Sequence, residues 1–383
     1  MKKVFSKMDK SILLIGITFF LFGLVMILSA SSMESYMRYG YDSYHYFYRQ
    51  ALFLGAGAIL FFIIVHMPTK IYKRLSYLLI VVAIIVLLAL TVYGRVANNA
   101  QSWFKIGTLS LQPSEFAKII VIMFLAAYYD YNKEKLDSLK TLIIPLIPVI
   151  IVFAIVAMQP DLGTALIIGL ISFFIFFSLP MPRKNRVKLK LLVIAIGIIG
   201  VLSFILFGDH ILKPYQRQRF NFKDPCERYQ EESGYQLCNS FIAFKNGDFT
   251  GQGIGKSTQK YLYLPESYTD FIFPIIVEEW GAWIGALIII LYLVIIYRLY
   301  RIARQATSLY GSLLAYGVSI YFLLHVSINL AGVMGLAPLT GVPLPFLSYG
   351  GSYAISLMCA LAIAERVAVE SYNKNNKKKL KKQ

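Results

Sequence analysis

Apolar runs recur along the whole chain, near 11–31, 48–66, 77–94, 113–129, 142–158, 162–179, 191–208, 271–297, 311–334 and 351–368. The hydrocarbon core of a bilayer takes about 20 residues of helix to cross, so the pattern predicts about ten transmembrane helices. The connections between runs are short except for 209–270. The expected fold is an all-α polytopic membrane protein. It forms a single unit over 1–383, with one large extracytoplasmic loop (209–270) and a basic tail (369–383). No tandem repeat is visible. The irregular stretches at Gln159-Pro160 and from Pro338 to Pro345 do not correspond in the way inverted repeats would require.

Charge orients this pattern. Lys2, Lys3, Lys7 and Lys10 precede the first run, and Lys70, Lys73 and Arg74 follow the second. Further basic groups stand at Arg183, Lys184, Arg186, Lys188 and Lys190, at Arg298, Arg301 and Arg304, and in the tail NKNNKKKLKKQ. Every second connection is therefore basic, which puts both termini in the cytoplasm and requires an even number of crossings. The outer connections are then 32–47, 95–112, a turn near 159–161, 209–270 and 335–350. The first 30 residues imitate a signal peptide, and LSASS offers small residues for cleavage. With so many later spans, an uncleaved signal-anchor is the expectation.

Composition is 57% hydrophobic and 15% charged, with a formal net charge of +18. In a soluble chain that charge would suggest nucleic acid. Here the cations flank spans and no nucleic-acid-reading motif accompanies them, so nucleic acid is excluded as a partner. Anionic membrane lipids suit them instead, at roughly 1 kcal/mol per surface Lys or Arg. Cys359 lies in the last run, where it packs as a small hydrophobe. Cys226 and Cys238 share the large outer loop, where the compartment permits a disulfide and nothing else demands one.

Chemistry concentrates between Gly251 and Gly281, in GQGIGKSTQKYLYLPESYTDFIFPIIVEEWG. Asp270 stands where the polar loop meets the apolar run, and Glu278 and Glu279 follow inside it. Acids in a span cost about 2.5–3.5 kcal/mol each on insertion scales, so keeping three together points to use. Asp270 alone could be a helix N-cap, but one helix needs one cap. At a water–lipid boundary it suits a general base acting on a substrate with a polar head and a lipid tail. Glu278, about two turns further along, would tune Asp270 or pair with Lys118. GQGIGKS is no phosphate loop, because the position five before the glycine of GKS is Thr250.

Four other groups of residues bear on a site. In QPSEFAK, Glu115 and Lys118 share a helical face; they form either a neutralising ion pair or a site where Lys118 meets an anion. Asp161 in QPDLGTA is a helix cap or a substrate contact. Arg217 and Arg219 in PYQRQRF suit a pyrophosphate or simply snorkel to the interface. NLAGVMGLAPLTGVPLPFLSYGGS reads as a stiff re-entrant stretch lining a wet cavity, with Asn329, Thr340, Ser348 and Tyr349 offering hydrogen-bonding groups. His45, His66, His210 and His325 fall at unrelated spacings, and HExxH, CxxC and GxSxG are absent, so no dedicated metal site or hydrolase of that type is expected.

NNAQSWFKIGTLSLQPSEFAK, QPDLGTA, PYQRQRF, GYQLCNSFIAFKNGDFTGQGIGKSTQKYLYLPESYTDFIF and GLAPLTGVPLPFLSYGGS occur in the order of the SEDS family of bacterial cell-wall proteins. The resemblance covers nearly the whole chain, and STQKYLYLPE is closer to the FtsW branch than to RodA. It implies a ten-span peptidoglycan glycosyltransferase polymerising lipid II outside the cytoplasmic membrane. A class B penicillin-binding transpeptidase and other divisome proteins are the implied partners. It places the family's proposed catalytic base on Asp270, and the Glu and Lys of its QPSExxK motif on Glu115 and Lys118. Tyr268 replaces the common His two before that aspartate, and Pro274, Asn99 and Trp280 also depart from the common pattern. Arg217, Arg219 and Lys118 are the cations expected at the leaving pyrophosphate, with a divalent ion (Mg or Mn) an admissible helper. The rival reading is a lipid II flippase, which Glu278 and Glu279 would serve; a membrane scaffold would not explain the clustered acids and bases.

Overall fold

A computed structural model describes residues 2–40, 42–93, 95–97, 100–106, 109–159, 161–189, 191 and 221–380. The expected span near 191–208, Arg217 and Arg219 lie outside the described residues. After a short α1 (Lys2–Phe5) come α2 (Lys10–Arg38), α3 (His45–His66) and α4 (Thr69–Tyr93). The expected outer connection 95–112 holds a small antiparallel sheet, β1 (Arg95–Ala97), β2 (Ala100–Ile106) and β3 (Leu109–Leu111), in the order β1-β2-β3. Then follow α5 (Pro113–Tyr131), α6 (Leu139–Ile143), α7 (Leu146–Met158) and α8 (Leu162–Ser178). The loop carries α9 (Glu232–Gly247), and the chain ends in α10 (Ile272–Trp280), α11 (Ala282–Gln305), α12 (Leu309–Val333) and α13 (Gly351–Leu380). Pro113 opens α5 at its first position, where a missing N–H costs nothing.

Burial sorts the helices into centre and periphery. In the most apolar windows of α12 and α13, 72% of residues are buried, against 22% in α3 and 28% in α4 and α11. Most of α5 is buried as well, including Glu115 and Lys118. The outer helices instead present large side chains such as Leu14, Leu52, Leu78 and Ile290 outward. A bilayer covers such a surface; water would not. Seven helices among the described residues are long and apolar enough to cross a membrane. The chain is a multi-pass, all-α membrane protein.

Polar contacts fix which helix ends lie together. At one end Asp9 caps α2, pairs with Arg298 at 3.5 Å and meets Glu365 through its backbone N–H. Thr69 donates to Glu370, and Lys73 pairs with Asp130. The basic residues that precede α2 and follow α3 and α11 gather at this terminal end. The opposite, loop end carries the sheet, α9 and Asp270. Cys226 is joined to Cys238 of α9 by a disulfide.

The run 271–297, expected as one helix, is two. Its contacts step down α2: Tyr268 meets Glu34, Glu279 meets Ser29, Trp280 meets Met26, and Arg298 meets Ser11. The break falls at Gly281, at φ +87°, where a Cβ would stand 2.1 Å from the Phe249 carbonyl oxygen. Loop backbone fills the gap: Gln252 N–H donates to Glu278 O, Gly253 N–H to Glu279 O, and Ala282 N–H to Asp248 O. Irregular backbone survives at membrane depth only where protein encloses it, and these bonds do so.

Candidate functional site

Asp270 ends the large loop and precedes α10. The residue is half-buried. Its backbone is pinned. Three consecutive carbonyls accept hydrogen bonds from the last connection and its flanking helix: Tyr268 O from Tyr349 N–H at 2.9 Å, Thr269 O from Ser348 Oγ at 2.7 Å, and Asp270 O from Asn329 Nδ2 at 2.8 Å. Asn329 also donates to Val342 O at 2.8 Å. Gly341, at φ +69°, lies against the carboxylate; a Cβ there would meet Asp270 Oδ2 at 3.3 Å. The glycine serves both the turn and the close approach.

The irregular stretch 338–348 is thus the bed on which the Asp270 loop rests. It also touches α8, since a Cβ at Gly163 would stand 2.5 Å from Thr340 O. Ser348 is buried; its hydroxyl accepts from Leu344 N–H at 2.8 Å and gives its proton to Thr269 O. Through these two bonds Ser348 orders the loop bearing Asp270.

The starts of α5 and α8 converge beside this bed. Asp161 caps α8 by accepting from Thr164 N–H at 3.1 Å, and its other oxygen accepts from Gln112 Nε2 at 2.9 Å. Gln112 N–H donates to Ser352 at the start of α13. Of the two readings of Asp161, the cap is realised, with a tie between two helices added. Glu115 and Lys118 form the ion pair, Nζ to Oε1 at 2.9 Å, with side chains 3% and 1% exposed. Ser356 Oγ lies 3.5 Å from the second Glu115 oxygen. Lys118 presents no open face to an anion.

Glu278 pairs with neither Lys118 nor Asp270. It is fully buried, and the loop wraps it: Oε1 accepts from Asn246 Nδ2, Thr258 N–H and Thr258 Oγ1, and Oε2 from Ser257 Oγ and Gln259 N–H. Glu279 pairs with Lys260 at 2.8 Å and accepts from Ser29 at 2.6 Å. These two acids staple the loop to α10 and α2. Tyr268, where the family resemblance leads one to expect His, donates to Glu34 Oε1 at 3.1 Å and packs on Tyr46 with ring centroids 4.5 Å apart. Burial pushes its phenol well above the usual tyrosine range, so no group titrating near neutrality stands at that position. Burial raises Tyr349 to about 12.

Sequence reasoning passed over His325, which the fold sets against Lys118 at 3.2 Å. Its one available signal was its place four residues before Asn329, on the same face of α12. Among the described residues no group of three or more His, Cys, Asp or Glu is placed to hold a metal ion.

Comparison with known proteins places this arrangement. The family model described as cell cycle protein, covering FtsW, RodA and SpoVE, matches residues 9–373. The probable peptidoglycan glycosyltransferase FtsW of Bacillus subtilis (strain 168) is 39% identical over 383 residues, 99% of this chain and 95% of that protein. Stage V sporulation protein E of the same organism is 35% identical over 368 residues, 95% of this chain and 98% of that protein. Among solved structures, a chain of a peptidoglycan synthase complex that coordinates polymerization and crosslinking aligns with a TM-score of 0.75 at 24% identity, over 95% of this chain and 98% of that one. The rod shape determining protein RodA of Thermus thermophilus aligns at 0.67 and 24% identity, with the same coverage of each chain. The structural likeness speaks for the fold; the sequence matches go further, and on them this chain belongs to the FtsW/RodA/SpoVE family.

Proposed function

We propose that this protein is a peptidoglycan glycosyltransferase that polymerises lipid II into glycan strands, in the manner of FtsW for septal wall synthesis. The observation that carries the reading is the Asp270 loop, with three successive carbonyls pinned and Gly341 set against a half-buried carboxylate. A general base needs a fixed backbone and a reachable oxygen. The 39% identity to a probable peptidoglycan glycosyltransferase supplies the substrate class.

In the reaction, the acceptor's GlcNAc 4-hydroxyl attacks C1 of the donor MurNAc. Its proton passes to the Asp270 carboxylate. The C1–O bond to undecaprenyl pyrophosphate breaks, and its electron pair leaves with the pyrophosphate. That leaving group carries the developing charge, so cations matter most there. Arg217 and Arg219 are assigned this role, since Lys118 is enclosed. A divalent ion bound with the substrate remains compatible with the chemistry.

The loop end faces outward and both termini face the cytoplasm. Two independent features support this: basic residues gather at the terminal end, and the Cys226–Cys238 disulfide lies at the loop end. A class B penicillin-binding transpeptidase is the proposed partner, in line with a solved relative that belongs to a synthase complex. The flippase reading loses its main support, because Glu278 and Glu279 are bonded to the loop and do not line a midplane path. Proteoliposomes with lipid II confined to one leaflet test the choice, with and without the transpeptidase. Glycan strands from outer-leaflet lipid II are expected; transfer between leaflets with no polymer would overturn the reading.

A further inference from the structure

His325 is wholly buried between the rings of Tyr321 and Tyr353, with centroids at 4.4 and 5.0 Å. Both of its nitrogens have partners. Nδ1 lies 3.3 Å from Pro343 O and Nε2 lies 3.2 Å from Lys118 Nζ. A carbonyl oxygen can only accept and an ammonium can only donate. The partners therefore assign the tautomer: Nδ1 carries the hydrogen and Nε2 the lone pair. The ring joins the buried Glu115–Lys118 pair of α5 to the stretch that bears on Asp270. Pro343 is next to Val342, whose carbonyl shares Asn329 with Asp270 O, and two residues from Gly341, which abuts the Asp270 carboxylate.

We propose that His325 is a positioning residue: it latches the 340–343 stretch to the Glu115–Lys118 pair and so sets where Asp270 stands. The inference rests on the polymerase reading and gives the buried ion pair a role without substrate contact. It also explains why two charges are kept where a pair of apolar side chains would pack at similar or better stability. An aliphatic pair would not anchor an imidazole at a fixed height. A loosened bed displaces the base, and displacements near 1 Å cost about 10²-fold in rate.

The test uses the full-length chain and lipid II, with kcat and KM measured separately and Tm recorded for each variant. His325→Asn keeps a donor near the Nδ1 position and loses the Lys118 contact. His325→Gln keeps an acceptor near Nε2 and loses Pro343. The latch needs both bonds, so each variant lowers kcat, toward the ~10²-fold limit, while KM stays within about twofold of wild type. A cycle then combines His325→Asn with the joint change Glu115→Gln, Lys118→Met, which removes both buried charges together. The combined variant falls no further than the worse of its parents, within about twofold. Additive losses would overturn the latch, as would a loss that appears in KM, or wild-type kcat in both His325→Asn and His325→Gln. Failure of the wild-type chain itself to polymerise would instead strike the function reading.

Discussion

Asp270 and Glu278 lie on one short stretch of chain and are treated in opposite ways. Around Asp270 the protein grips the backbone and leaves the residue half-buried. Around Glu278 it encloses the carboxylate itself, with five donors from 246–259. An acid whose main chain is gripped is held at a fixed position, as a general base must be. An acid held by its oxygens is a structural anchor. Proximity in sequence therefore says little about shared purpose, and the cost of an acid in a span is met in two ways.

The comparison makes predictions that separate chemistry from stability. The largest effect belongs to Asp270→Asn, which should lower polymerisation by about 10²–10⁴-fold, the usual contribution of a general base, with Tm unchanged. A gel of glycan strands from lipid II, beside a thermal melt in detergent, checks both halves. Glu279→Gln comes next. It leaves Lys260 buried without its counter-ion, so a loss of about 3–5 kcal/mol in stability is expected. The joint change Lys260→Met, Glu279→Met should recover much of that loss, read as Tm; no recovery would mean that the pair does more than neutralise itself. Reducing or replacing the Cys226–Cys238 disulfide, at a sequence separation of 12, should cost up to about 3 kcal/mol. Proteolysis of the loop reports it, with α12 and α13 unaffected. The smallest effect is expected for Tyr268→Phe. It removes one hydrogen bond to Glu34, for about 1 kcal/mol or somewhat more, and should barely change the pH dependence, since Tyr268 stays protonated at all working pH values.

Much of the fold could be read from the chain because lipid imposes a simple rule on it. Runs of about 20 apolar residues become helices, and α2, α3, α4, α5, α8, α12 and α13 stand close to the predicted runs. The break at Gly281 was hidden, because hydropathy is blind to φ; the sign of it is a glycine between Trp280 and Ala282. The sheet 95–111 was hidden for a different reason: strands this short give little periodicity to detect. At the site, Asp270 was legible from its place at a polar–apolar boundary. The partners of Glu278, and the contact of Lys118 with His325, were not. His325 lies 207 residues from Lys118, and only helix packing brings them together. Glu115 and Lys118 were legible as a pair because three residues along a helix is a local distance.

The most direct test sets the two acids side by side: Asp270→Asn and Glu278→Gln, purified, matched for folded protein, and given lipid II at saturation. The account predicts that Asp270→Asn melts like wild type and polymerises about 10²–10⁴-fold more slowly, whereas Glu278→Gln melts lower and keeps its turnover per folded molecule. Wild-type strand synthesis by Asp270→Asn would contradict it.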